Sequence, residues 1–259
     1  MAYFYSPKIV TDNLVFYMDA QNSNSYNINQ DKGYSLVNPE LNTSFTHLDF
    51  AIDTDAGPPP PDPSTVTEIP IATDGYIKSF EFDGSDYYFK GVGTPMENIP
   101  SELTYTAWIN HDRGGSEGST LFLPGAGGNV NRTWLYIYSD NINMTLSDGT
   151  GQAGSTYTAY TSTNYPNPFN YVVTTASDNG DGSSTIKIYV NGEIVKTETN
   201  VGIVSGRSSG PNEPDVARGG SSGGQRFSGK IASTSIYTKC LSADEVKRNF
   251  EAMRGRFGL

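Results

Sequence analysis

Phe227-Ser-Gly-Lys-Ile-Ala-Ser-Thr-Ser-Ile-Tyr-Thr-Lys-Cys-Leu-Ser-Ala-Asp-Glu-Val-Lys-Arg-Asn-Phe250 is the stretch whose reading decides the fold. Its first part, Lys230 to Tyr237, alternates like a strand, with Ile231 aimed at a core and Ile236 a second candidate for it. After a turn, Ser242 and Glu245 stand at the S-x-x-E spacing of a capping box, in which hydroxyl and carboxylate each satisfy a free backbone donor. Val246 and Phe250 follow four apart, one apolar stripe on a short helix. The spacing predicts a helix over 243–254. Everything upstream is β-like, so the expectation is an all-β body closed by one helix packed on an edge.

Composition sets limits around that reading. At 259 residues the chain fits one large β domain, long enough to bury a core without disulfides. Cys240 is the single cysteine, so neither an internal bridge nor a four-cysteine zinc site exists, and it reads as a small half-buried residue. The net charge of -11 is spread along the chain, which argues against nucleic acid, whose phosphates require a basic stripe. No apolar run approaches the roughly 20 residues of a membrane span. Met1-Ala-Tyr-Phe-Tyr-Ser-Pro-Lys8 lacks the features of a secretory signal, so the expected site of synthesis is the cytoplasm, with no membrane insertion.

Turn signals divide the chain. Residues 1–13 read as an N-terminal arm and 14–259 as a single domain, with Leu14 to Ala20 a central strand apolar on both faces. Pro58 to Pro61 lies in a surface loop over 53–65. Ile77 to Phe82 and Asp86 to Lys90 are read as a hairpin around Asp83-Gly84. Tyr171 to Ala176 pairs with Thr185 to Val190, and Asn191-Gly192 turns the chain into Glu193 to Thr197, the strongest hairpin signal present.

These pieces stand in a recognisable order. Asp12-Asn-Leu-Val-Phe-Tyr-Met-Asp-Ala20, Ser79-Phe-Glu-Phe-Asp-Gly-Ser-Asp-Tyr87, Tyr105-Thr-Ala-Trp-Ile109, Ile186-Lys-Ile-Tyr-Val-Asn-Gly-Glu193 and the closing Gly229-Lys-Ile-Ala232 through Val246 resemble laminin-G-like, concanavalin A-like lectin-glucanase jelly rolls over nearly the whole chain. The resemblance implies an antiparallel jelly-roll sandwich of two sheets with a short C-terminal helix. The opening Tyr5-Ser-Pro-Lys-Ile-Val-Thr-Asp12 and the ending Arg254-Gly-Arg-Phe-Gly-Leu259 look like those of tailed-bacteriophage structural proteins. That second likeness implies a virion location, as a capsid decoration or tail component contacting other virion proteins or copies of itself. Tyr3, Tyr5, Arg256, Phe257 and Leu259 are then the candidate assembly contacts. The alternative is a carbohydrate-binding adhesin for host-surface glycans, calcium-assisted or not.

Candidate chemistry is weighed against plain structure. Related jelly rolls include glycoside hydrolases, which need two carboxylates on one face, about 5–9 Å apart. No E-x-D-x-x-E stretch occurs. Glu81 and Asp83 are two apart, but Asp83 opens a turn, so no catalytic residue is assigned and the chain is read as non-enzymatic. No cofactor is required. Calcium is compatible with rim acids Asp112, Glu117, Asp140 and Asp148, whose other reading is ordinary turn chemistry. Trp134, Tyr136 and Tyr138 share one face of a strand, opposite Leu135 and Ile137. With the aliphatic pair inward, the rings would line a surface suited to stacking on sugars, helped by Asn131 and Arg132. With the rings inward, they are core packing.

Overall fold

The computed structural model describes residues 7–27, 32–34, 36, 49–52, 71–84, 88–92, 102–111, 119–120, 123–124, 133–138, 141–147, 152–158, 167–201, 214–219 and 225–259. Tyr3, Tyr5 and the loop at 53–65 lie outside them. The longer strands are β1 (Leu14–Asp19), β2 (Ile71–Asp74), β3 (Ile77–Asp83), β4 (Glu102–His111), β5 (Thr133–Tyr138), β6 (Asn141–Ser147), β7 (Gln152–Thr158), β8 (Asn170–Asp178), β9 (Ser184–Val190), β10 (Glu193–Val201) and β11 (Ser228–Tyr237). Helix α1 (Ala243–Met253) and a 3-10 turn at Arg254–Phe257 end the chain.

Two antiparallel sheets form the expected jelly-roll sandwich. The larger runs β10-β9-β8-β4-β11-β3-β2, with β1 also on β11; the smaller runs β7-β6-β5, with Ser119–Thr120 beside β5. Leu103, Tyr105, Ala107 and Ile109 of β4 share one apolar core with Leu135 and Ile137 of β5 and Ile142, Met144 and Leu146 of β6. The Tyr105 hydroxyl lies 2.6 Å from Thr133 Oγ1, a hydrogen bond joining the two layers. A further sheet of short strands contains Phe89–Val92, and Phe89 meets Phe80 and Phe82 edge to face at 5.1 and 6.0 Å.

Strand β11 sits inside the larger sheet. Its Ser228–Ile231 half pairs with β3, its Ser233–Tyr237 half with β1, and β4 binds it on the other side. Strict alternation would place Ile231 and Ile236, five residues apart, on opposite faces. A register shift between Ile231 and Ser233 inserts one extra residue, and both isoleucines enter the core.

Helix α1 caps as the sequence requires. The Glu245 amide donates to Ser242 Oγ at 3.3 Å and the Ser242 amide to Glu245 Oε2 at 2.9 Å. Its position differs from the edge expected for it. Val246 and Phe250 lie on the outer face of the larger sheet, in a second apolar cluster with Trp108, Phe169, Tyr171, Val173 and Tyr189. The cause is the composition of that face: Trp108 and Tyr171 are too apolar to leave in water, and one amphipathic helix is available to cover them. Phe250 stacks on Trp108 at 5.7 Å, and Phe257 stacks on it at 3.9 Å. Gly192 marks the close approach of the β9–β10 turn. Its φ is 85°, and a Cβ there would come within 3.1 Å of Phe250.

Two other strand readings change. The strand at Ile77–Asp83 pairs with β2 and β11, while Phe89–Val92 pairs with Asp49–Ile52, so they are not a hairpin. The β1 ladder joins a single strand, β11, among the described residues, so β1 flanks the sheet rather than lying at its centre. The described part of the arm is bound to the domain. The Val10 amide donates to Asn249 Oδ1 at 2.6 Å, the Tyr237 hydroxyl donates to the Val10 carbonyl at 3.0 Å, and Arg248 Nε donates to the Lys8 carbonyl at 2.8 Å.

Two outcomes follow for stability. Phe257→Ala should lower the unfolding free energy by about 3 kcal/mol or more, because a stacked buried ring is lost, whereas Ser242→Ala should cost about 1 kcal/mol; urea melts measure both. Burial pushes the Tyr237 phenol up to about 12 and also raises those of Tyr17 and Tyr171. The folded state keeps these protons where the unfolded chain releases them, so stability should be level below about pH 10 and fall as pH rises through about 12. Urea melts across that range, followed by tryptophan fluorescence, check this.

Candidate functional site: the outer face of the smaller sheet

Among the described residues, the outer side of the larger sheet around β4, β8 and β9 carries α1 and the C-terminal turn, while its inner side meets the core. The smaller sheet is different. Its inward positions are Leu135 and Ile137 of β5 and Ile142, Met144 and Leu146 of β6, each buried in the core. The aliphatic pair therefore faces inward, and Trp134 and Tyr136 belong to the opposite side. Their ring centroids lie 6.3 Å apart at 41°.

Exposure separates the two rings. Trp134 is only 5% exposed, whereas Tyr136 is half-buried. Trp134 is thus a packing residue behind the surface, and Tyr136 is the ring solvent can reach. Tyr138 occupies the last position of β5, in register with Asn141. Asn131 and Arg132 lie outside the described residues.

Register supplies polar neighbours that the sequence reading did not single out. Tyr136 is opposite Asn143, and Trp134 is opposite Thr145. On the next strand, Asn143 is opposite Thr156 and Asn141 opposite Thr158. Asn141 and Thr145 are partly exposed, and Asn143 is 9% exposed. The signal was available in Asn141-Ile-Asn-Met-Thr-Leu-Ser147, whose alternation mirrors that of β5 with polar residues on the ring side. An amide or hydroxyl both donates and accepts, and an aromatic ring beside it offers a flat apolar surface. Such a face can stack against a sugar ring and hydrogen-bond its hydroxyls.

The other candidates are placed as follows. Asp112, Glu117, Asp140 and Asp148 lie outside the described residues, and no group of three or more His, Cys, Asp or Glu suited to a metal occurs among the described ones. Arg256 donates from Nη1 to Asp19 Oδ1 at 2.7 Å and from Nη2 to the Lys78 carbonyl at 3.1 Å. Phe257 is 7% exposed against Trp108, and Leu259 packs on the same cluster. Glu81 and Asp83 are both exposed on β3, opposite Lys230 and Ser228. Among the described residues no helix is long and apolar enough to cross a membrane.

Comparison with known proteins bears on this arrangement. No curated protein sequence matches the chain. Among solved structures, the binding domain of botulinum neurotoxin serotype D/C VPI 5993 aligns with a TM-score of 0.59 at 12% identity, over 93% of this chain and 52% of that one. A binding domain of botulinum neurotoxin DC in complex with SialylT gives 0.58 at 11% identity, over 94% and 52%. A structure of botulinum neurotoxin type C, a toxin dependent on interaction with two ganglioside molecules to get into cells, gives 0.59 at 14% identity, over 93% and 51%. The chain spans about half the length of these structures, and at such identities the likeness is one of fold. A family model described as concanavalin A-like lectin/glucanases superfamily matches residues 83–247, from the end of β3 into α1. The ordered strands, the capped helix and this match agree: the chain belongs to the concanavalin A-like lectin/glucanases superfamily.

Proposed function

We propose that this domain is a non-catalytic carbohydrate-recognition module that binds glycan on the outer face of β5 and β6. The observation that carries the reading is the half-buried Tyr136 ring, backed by Trp134 and set in register with Asn143 between Asn141 and Thr145. Three features support it. On the outer side of the smaller sheet Tyr136, Asn141 and Thr145 are partly exposed, whereas α1 covers the outer side of the larger sheet at β4 and β8. The family includes lectins. Two proteins of the same fold were described with sialylated or ganglioside ligands. The non-catalytic part is supported by Glu81 and Asp83, the acid pair at strand spacing, which stand in the open on β3, on a different sheet from the rings.

The adhesin alternative thus comes ahead of the virion structural role. That role rested on the likeness of the chain ends to phage proteins. At the C-terminal end, Arg256 and Phe257 have partners within the same domain, and these account for the sequence there without a neighbouring subunit.

Tyr136→Ala should weaken binding to immobilised polysaccharide by at least about tenfold while lowering stability less than loss of Trp134 does, since the Tyr136 ring is half-buried and the Trp134 ring is buried. Trp134→Ala should instead destabilise the fold by about 3 kcal/mol or more, because its ring is buried. Binding isotherms and thermal melts on both variants check the pair. Full-strength binding by folded Tyr136→Ala would remove the site.

A further inference from the structure

We infer that the glycan taken by this face is electrically neutral, selected over sialylated, sulfated or uronic-acid saccharides; this rests on the carbohydrate reading above. The strands β5, β6 and β7 read Thr-Trp-Leu-Tyr-Ile-Tyr, Asn-Ile-Asn-Met-Thr-Leu-Ser and Gln-Ala-Gly-Ser-Thr-Tyr-Thr. None contains Asp, Glu, Lys, Arg or His, in a chain of which 17% is charged. Ion pairs among the described residues lie elsewhere. Lys230–Asp74 and Lys196–Glu198 are on the larger sheet, and Lys239–Glu245 and Arg256–Asp19 join that sheet to α1 and the C-terminal turn. Arg132 and Asp140, which bracket β5 in the sequence, are of opposite sign.

The physical argument is one of desolvation. A carboxylate or sulfate that leaves water at a binding surface needs a cation or a strong charged donor to offset the loss of hydration. The described polar groups here are the amides of Asn141 and Asn143, the hydroxyls of Thr145 and Tyr136 and the indole N–H of Trp134, none of which carries a charge at neutral pH. The net charge of -11 adds long-range repulsion toward any anion approaching the molecule. A neutral sugar meets neither penalty. Its apolar ring face can lie on Tyr136, and its hydroxyls can exchange hydrogen bonds with the neighbouring amides.

The test uses the intact chain on an array of neutral glucose, galactose, mannose and N-acetylhexosamine oligomers, beside sialylated, sulfated and uronic-acid counterparts. Hits are repeated by calorimetry across salt concentrations. Neutral ligands should bind with a Kd that changes less than about twofold between about 0.05 and 0.5 M salt. Acidic counterparts should bind at least about tenfold more weakly. Equal or tighter binding of an acidic counterpart, weakening as salt rises, overturns this inference and leaves the carbohydrate reading in place. Absence of binding to every class overturns both.

Discussion

The central strand β4 is buried on both of its faces from Leu103 to Ile109, and the rest of the domain is arranged around that constraint. Leu103, Tyr105, Ala107 and Ile109 enter the core between the sheets, while Trp108 points the other way. A sandwich strand normally leaves its outer side to water. Here the outer side carries an indole, so something apolar must cover it. Phe250 from α1 and Phe257 from the C-terminal turn do so, stacked on Trp108. The C-terminal segment is therefore part of the fold's apolar framework.

Burying that face also encloses polar groups, which need partners of their own. Thr106 Oγ1 lies 2.5 Å from Ser235 Oγ, and Asn249 Nδ2 donates to the Tyr237 hydroxyl at 3.1 Å. Asn249 Oδ1 and the same tyrosine hold the Val10 backbone from both sides. One asparagine on a helix thereby links the sheet, the helix and the segment leading into β1. The result is an asymmetry: among the described residues the helix and the arm lie on the larger sheet, and the partly exposed Tyr136, Asn141 and Thr145 lie on the smaller one.

Much of this was legible in the residues. The capping box at Ser242 and Glu245, the Asn191-Gly192 turn and the β8–β9 pairing are local, set by hydrogen bonds and dihedral preferences within a few residues. The candidate site was half legible. In Trp134-Leu-Tyr-Ile-Tyr138 both faces are apolar, so alternation alone leaves two solutions. The partner strand breaks the tie: Asn143 and Thr145 stand opposite the rings, and turning that side inward would bury amide and hydroxyl groups in an apolar core. The polar half of the face belongs to β6 and could be assigned to the site only once the register was known.

By itself, then, the sequence determined the succession of short strands, the capped helix and the tight turns, because each depends on neighbours close along the chain, while the sandwich was implied by the family resemblance. Tertiary structure alone decided where the helix docks, how Ile231 and Ile236 both reach the core, and which of Trp134 and Tyr136 meets solvent. The reason is common to all three. Each is settled by competition for burial between segments far apart in sequence, and a single strand's pattern carries no record of what will be laid against it.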